Sequence, residues 1–256
     1  VIGAIAGDVI GSTHEHHPVK DRNFDLFTQR SHFTDDTVCT IALADVLLHG
    51  GDYAETLQKY CRRYPDAGYG SRFKQWIHTT PPMPYGSFGN GSAMRVVPVG
   101  LAFSAEKEVL EWAERSAVVT HDHPEGIKGA QATALAVFMA AAGADKVTIK
   151  KEIASRFQYD LDRRLDEIRP GYRFDVTCQG SVPESILAFL ESNSYEVSIR
   201  LAISLGGDAD TQACIAGGIA QAFYKSIPVE IEEKTMALLT PEFIDILRKF
   251  KERYGW

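Results

Sequence analysis

A chain of 256 residues, 45% hydrophobic and 24% charged, can bury a substantial core and has the composition of a globular protein rather than a disordered or fibrous one. Its formal charge of −7 excludes a surface built to hold long nucleic acid, which needs a basic face. It leaves room for a small anionic ligand, because metal ions and helix N-termini supply local positive potential.

Taken in chain order, the elements read as helices separated by three long loops. Residues 11–33 form a long loop that holds four histidines and carries no periodic apolar pattern. Phe33-Thr34-Asp35-Asp36-Thr37 then opens a segment through Val38, Ile41, Ala42 and Leu43 that is apolar nearly all round and therefore deeply buried. Asp52, followed by Glu55, marks a capped start whose Leu57, Cys61 and Tyr64 share a face before Pro65. Residues 64–100 form a second long loop, rich in Gly and Pro. Ser104 opens a helix striped by Val109, Leu110, Trp112, Ala113 and Ala117, and the Ala-rich run from Gly126 to Ala142 is helical throughout. A third loop, polar, covers 158–180. Ser181-Val182-Pro183-Glu184 has the form of a capping box ahead of Ile186, Leu187, Phe189 and Leu190. The helix from Tyr195 to Leu205 stops at Gly206, and Thr240-Pro241 starts the last one. Phe174, Val176 and Cys178 alternate briefly, too short a run to make a sheet. The expected fold is all-α, a compact orthogonal helical bundle forming a single domain over residues 1–256. Loops of this length in a compact domain usually build a binding site.

The most specific feature is a pair of acidic segments at loop-to-helix junctions. Thr34-Asp35-Asp36-Thr37 is one; Gly206-Gly207-Asp208-Ala209-Asp210-Thr211, running into Cys214, Ile215, Ile219 and Phe223, is the other. Helix capping explains one such segment, since Asp and Thr favour helix starts and acids suit the positive end of the dipole. Capping uses one carboxylate per helix, however, and a spare aspartate beside a buried helix start is a costly desolvated charge unless a cation sits there. Carboxylates and hydroxyls are hard oxygen ligands that select Mg²⁺ or Mn²⁺ over zinc, so two divalent ions compete with plain capping as the explanation. The adjacent Gly217 and Gly218 cost helix stability and point to a close helix approach.

Other residues carry weaker signals. His14, His16 and His17 crowd around Glu15, a spacing that seldom converges on one zinc ion, so a solvated loop is expected. Arg72, Lys74 and Arg95 could meet phosphates, but lone basic residues are more often at the surface or in ion pairs. Cys39, Cys61, Cys178 and Cys214 form no C-x-x-C pair and read as buried free thiols. Together with the lack of a charged-then-apolar leader or an apolar run long enough to cross a bilayer, they predict a cytoplasmic protein with no membrane partner.

The chain resembles the ADP-ribosylglycohydrolase family along its whole length. Gly3-Ala4-Ile5-Ala6-Gly7-Asp8 and Gly11-Ser12-Thr13-His14-Glu15 match the family's N-terminal signature, and the two acidic segments match its metal motifs. Between them lie Gly68-Tyr69-Gly70, then Gly86 to Arg95, then Thr120-His121-Asp122-His123-Pro124, all in the family's order. The resemblance implies an all-α enzyme with two Mg²⁺ ions, Mn²⁺ substituting, held by Thr34, Asp35, Asp36, Asp208, Asp210 and Thr211. It implies catalytic roles for Glu15, Asp36 and Asp208, with Glu15 acting in catalysis or substrate gating. It also implies an ADP-ribose cleft built from Gly68, Tyr69, Gly70, Ser87, Phe88, Gly89, Asn90, Gly91, Met94 and His121, with Phe88 stacked on adenine. The glycine-rich loop suits that role chemically, because bare backbone N–H groups can approach a diphosphate closely.

The expected partner is an ADP-ribosylated protein or small molecule, with an arginine side chain as first choice of acceptor and serine or a smaller acceptor as the others. The competing functions are an ADP-ribose-binding module without turnover and a metal-dependent phosphohydrolase of the HD type, for which His121-Asp122 is the tempting pair.

Overall fold

The computed structural model describes all 256 residues. In chain order the helices are α1 (Ile2–Gly11), α2 (Asp35–His49), α3 (Tyr53–Arg63), α4 (Ser71–Trp76), α5 (Gly91–Met94), α6 (Val97–Ala102), α7 (Glu106–Val118) and α8 (Pro124–Ala141). They continue as α9 (Lys146–Phe157), α10 (Leu165–Ile168), α11 (Cys178–Leu190), α12 (Tyr195–Ile203), α13 (Ala209–Tyr224), α14 (Val229–Ala237) and α15 (Pro241–Tyr254). No strand forms; the one β contact is an isolated antiparallel bridge between Gly89 and Thr177. No helix is long and apolar enough to cross a membrane.

The bundle is organised around α13, which is buried continuously from Ala209 to Ala222. A helix with no solvent face must be covered on every side, and α1, α8, α11 and α12 do this. The α1–α13 contact is the most extensive and depends on glycine. Gly3, Gly7 and Gly11 recur every fourth residue along one face of α1. A Cβ on Gly7 would lie 2.1 Å from the Ala213 carbonyl oxygen, and one on Gly11 would lie 2.5 Å from that of Ala209. From the other side, a Cβ on Gly217 would sit 2.4 Å from the Gly3 carbonyl, so the two backbones touch. The second of the paired glycines, Gly218, accommodates Val97 of α6 instead. Helix α2 is likewise buried along nearly its whole length, packed against α3, α6 and α15.

Several helix starts are where the sequence puts them: Asp52 accepts the Glu55 N–H at 2.8 Å, and Thr240 accepts that of Phe243 at 3.4 Å. Two are not. Helix α11 begins after Thr177 rather than Ser181. The Thr177 hydroxyl donates to Asp175 at 2.7 Å, which leaves its oxygen free to accept the Gly180 N–H at 3.1 Å. Ser181 then lies inside the helix, its hydroxyl bonded to the Thr177 carbonyl at 2.6 Å, and Pro183 is interior as well. Helix α7 follows Ala105, with no capping side chain, rather than opening at Ser104.

Candidate active site

The C-terminal end of α1 and the N-terminal ends of α2 and α13 meet at one point, and each brings carboxylates. At the start of α2, Thr34 is the N-cap, its Oγ1 accepting the Asp36 N–H at 3.3 Å. Asp8, reaching across from α1, completes the cap. It accepts the Thr34 hydroxyl at 2.7 Å and the N–H groups of Thr34 and Thr37 at 3.0 and 3.1 Å, and the Thr37 hydroxyl bonds to it as well. Capping is therefore done by Thr34 and Asp8, and Asp35 and Asp36 are released from it. The Asp36 Oδ2 receives the Thr211 hydroxyl at 3.2 Å, while its buried Oδ1 has no partner at all.

Asp208 occupies the N-cap position of α13, yet its side chain caps nothing; it accepts the Asn90 amide at 2.7 Å. Asp210, two residues further on in the first turn of α13, accepts the Thr211 N–H at 2.9 Å. Two carboxylate trios result, each with oxygens within 4.8 Å of one another: Asp8, Asp36 and Asp210, and Glu15, Asp208 and Asp210. Asp210 belongs to both. Asp35 is half-buried on the adjoining wall, its Oδ1 beside Gly68, and belongs to neither trio.

The electrostatics are those of negative charge with no counterion. No lysine or arginine pairs with Asp8, Asp35, Asp36, Asp208 or Asp210, and Glu15 has only the His16 imidazole beside it, at 3.6 Å. Burial first, and then repulsion from Asp210, raises the Asp8 carboxyl to about 7 and holds those of Asp35, Asp36 and Asp208 well above the usual carboxylate range. Burial and Asp210 also raise Glu15, with His16 and His32 opposing. Such a site is costly in the chain alone, and a divalent cation is the species whose binding removes the cost. The oxygen-only donor set and the orphaned Asp36 Oδ1 fit a hard cation such as Mg²⁺ or Mn²⁺.

The trios lie at the floor of a cleft of about 420 Å³. Of the residues expected to bind ligand, Gly68, Gly70, Ser87, Gly89, Asn90, Gly91, Met94 and His121 line it. Tyr69 does not: it turns into the core against Phe73, at 5.5 Å between ring centroids. Phe88 is 42% exposed beside His123, outside the lining, and serves the cleft through its carbonyl, which accepts the Cys178 N–H at 2.9 Å. That bond and the Asn90 N–H to Val176 carbonyl bond, at 2.7 Å, pin the glycine loop to residues 176–178.

Several lining residues were not expected from the sequence. Arg72 lies over the Tyr85 ring at 4.8 Å, and Phe174 and Val176 also line the cleft. Arg95, expected at the surface or in an ion pair, is 1% exposed and has no carboxylate partner. Asp8 also escaped assignment as a site residue, although a lone acid in the otherwise apolar, glycine-striped Ile2–Gly11 segment was the available signal. His14 packs on Phe24 while His16 and His17 face solvent, so the three imidazoles do not converge. His121 and Asp122 diverge too, the first bonded to Thr120 and the second to the Gly86 N–H, an arrangement unlike an HD-type metal pair. His123 caps α8, accepting the Glu125 N–H at 3.1 Å.

Comparison with known proteins agrees with this geometry. The family model described as ADP-ribosylglycohydrolase matches residues 1–253. The chain is 28% identical over 303 residues to the ADP-ribosylhydrolase ARH3 of Mus musculus, covering 87% of this chain and 82% of that protein. It is 27% identical over 270 residues to the ADP-ribosylarginine hydrolase Tri1 of Pseudomonas putida, covering 91% of this chain and 72% of Tri1. A solved structure described as an ADP-ribosylglycohydrolase-related protein complex superposes with a TM-score of 0.71 at 25% identity, over 97% of both chains.

Proposed function

Since the chain belongs to the ADP-ribosylglycohydrolase family and is a hydrolase of ADP-ribose linkages, we propose that its acidic cleft cleaves ADP-ribose from an arginine side chain with the help of two magnesium ions. The observation that carries this reading is the sharing of Asp210 between two carboxylate trios. One trio alone suits one ion; two trios with a common member suit two neighbouring ions bridged by a carboxylate. Asp36, Asp208 and Asp210 would hold them, with Asp35, Thr34 and Thr211 completing the set. Bound there, divalent ions would offset the charge of these carboxylates and supply Lewis-acid positioning of the sugar.

The rest of the chemistry falls to the chain. Glycosidic cleavage passes through an oxocarbenium-like transition state. Glu15 stands in the outer trio, half-buried, within reach of the substrate side of the cleft, where its carboxyl can exchange a proton with attacking water or departing acceptor. In the loop from Gly86 to Gly91 the N–H groups of Gly86, Ser87, Gly89 and Asn90 are bonded within the chain, so those of Phe88 and Gly91 would be the backbone donors left for the diphosphate. Phe88, exposed at the mouth, offers a flat apolar face to adenine.

The acceptor is tested by release of free ADP-ribose from arginine, serine and small-molecule conjugates, with Mg²⁺ and with chelator. Magnesium-dependent release from the arginine conjugate is the expected result. Release from another conjugate alone would reassign the acceptor, and tight ADP-ribose binding without any release would make the protein a binding module.

A further inference from the structure

Arg95 is the largest side chain buried below 2% exposure, and it is a cation with no anion beside it. Its Nη2 donates to the Ser116 carbonyl at 2.8 Å and to the Thr120 hydroxyl oxygen at 3.0 Å. The same hydroxyl lies 2.7 Å from Nδ1 of His121. The direction of each bond follows from what each group can do. A guanidinium only donates, so Thr120 Oγ1 accepts from Arg95. The Thr120 proton then has one acceptor within reach, the Nδ1 lone pair of His121. The opposite arrangement, with Nδ1 protonated, would aim two donors at one oxygen and leave the buried hydroxyl proton without a partner, which is costly.

The other ring nitrogen faces the cleft. Nε2 has no protein partner, and it lies against the bare backbone of the glycine loop, 3.3 Å from where a Cβ on Gly91 would be and 3.6 Å from one on Gly89. We infer that Arg95 and Thr120 are positioning residues that lock His121 in the tautomer protonated on Nε2, so that its single N–H points into the cleft as a donor for an anionic ligand oxygen. Burial and the nearby Arg95 charge also hold the ring neutral by lowering its basicity. A fixed neutral donor beside the glycine loop adds a side-chain N–H next to that of Gly91, which has no partner in the chain, and such donors are the complement of a diphosphate oxygen. Identifying that oxygen with the diphosphate of ADP-ribose rests on the function proposed above; the tautomer does not.

The first test uses the unaltered protein without ligand. Long-range ¹H–¹⁵N correlation of histidine-labelled protein, with His121 assigned by the signal lost in His121→Gln, is expected to show an unprotonated Nδ1 and a protonated Nε2. A protonated Nδ1 would overturn the inference whatever the protein binds. The second test compares Thr120→Val with Thr120→Ser. The valine variant is expected to show a mixed tautomer and roughly fivefold weaker ADP-ribose binding by calorimetry, with serine restoring both. An unchanged tautomer in Thr120→Val would remove Thr120 from the relay, and an altered tautomer with unchanged affinity would remove the ligand contact. Failure of the unaltered protein to bind ADP-ribose would instead strike at the proposed function, leaving the tautomer result to stand by itself.

Discussion

Asp8 and Thr34 are joined twice: the Thr34 hydroxyl and the Thr34 N–H both donate to the Asp8 carboxylate, at 2.7 and 3.0 Å. The first bond fixes the direction of the hydroxyl proton and turns the lone pairs of Thr34 Oγ1 away from Asp8, while the second ties the start of α2 to α1. Asp8→Asn keeps the volume but brings an NH₂ group against these donors. It is expected to lower activity roughly 10–100-fold, as removal of an orienting partner behind a metal ligand does, and to weaken Mg²⁺ binding in parallel. Calorimetric Mg²⁺ titration of the variant checks it; unchanged metal affinity would reduce Asp8 to a helix cap.

The buried carboxylates make the metal-free protein lose stability as pH rises, the reverse of acid denaturation. The Asp8 carboxyl is raised from 3.8 to about 7 in the folded state, chiefly by burial and then by Asp210, and Asp35, Asp36 and Asp208 shift the same way. Between the unfolded and folded values the native state binds more protons than the unfolded one. Stability therefore falls as pH rises through that window. Chelator-treated protein is expected to melt at a higher temperature at pH 6 than at pH 8, and saturating Mg²⁺ is expected to abolish the difference. Differential scanning calorimetry at the two pH values, with and without the ion, decides it.

The same reasoning gives Asp36→Asn two effects of opposite sign. Removing one buried charge from the cluster is expected to raise the melting temperature of the metal-free protein at pH 8, because the carboxylate is disfavoured there by burial and by four neighbouring aspartates. It is also expected to abolish turnover and the stabilisation conferred by Mg²⁺. A variant that is both destabilised and fully active would contradict the proposed role of Asp36.

The helical class and the acidic site were legible in the sequence because each left a local mark. Thr34 to Asp36 and Asp208 to Thr211 are contiguous strings at helix starts, and their spare carboxylates can be counted without coordinates. What the string could not give was partnership across the fold. Asp8 is 26 residues from Thr34 and acquires meaning only because α1 lies against α13. Arg95 looks like any basic residue until its burial and its bond to Thr120 are known. The start of α11 was misplaced for a similar reason: Ser181 to Glu184 satisfies the local capping pattern, but Asp175 orients the Thr177 hydroxyl and moves the start upstream.

Phe88 offers a test of the adenine contact. It is 42% exposed, and Phe174, which lines the cleft, is 52% exposed, two large aromatic faces left in solvent. Stacking on a base is worth roughly 1–3 kcal/mol, so Phe88→Ala is expected to weaken ADP-ribose binding by about that amount while leaving the fold intact. Calorimetry with ADP-ribose measures it. Unchanged affinity in Phe88→Ala with loss in Phe174→Ala would transfer the contact to Phe174.

The position least able to tolerate change lies outside the cleft. At Gly7, the methyl of an alanine would stand 2.1 Å from the Ala213 carbonyl oxygen and 2.4 Å from its carbon, both backbone atoms of the central helix. Neither can rotate away, so α1 must separate from α13. Overpacking of this kind costs about 1–3 kcal/mol where side chains can adjust, and Gly7→Ala is expected to exceed about 3 kcal/mol because backbone cannot. The displacement also carries Asp8 away from Asp210, so Mg²⁺ binding is expected to fall along with stability. Gly143→Ala is the comparison: its φ of 87° strains an alanine, but nothing lies within 4 Å of the added methyl. Urea unfolding of both variants with and without Mg²⁺ separates backbone strain, which lowers stability alone, from helix separation, which lowers stability and metal affinity together. If Gly7→Ala unfolds like Gly143→Ala and binds Mg²⁺ normally, the close contact of α1 and α13 is not what holds the two acidic trios in register.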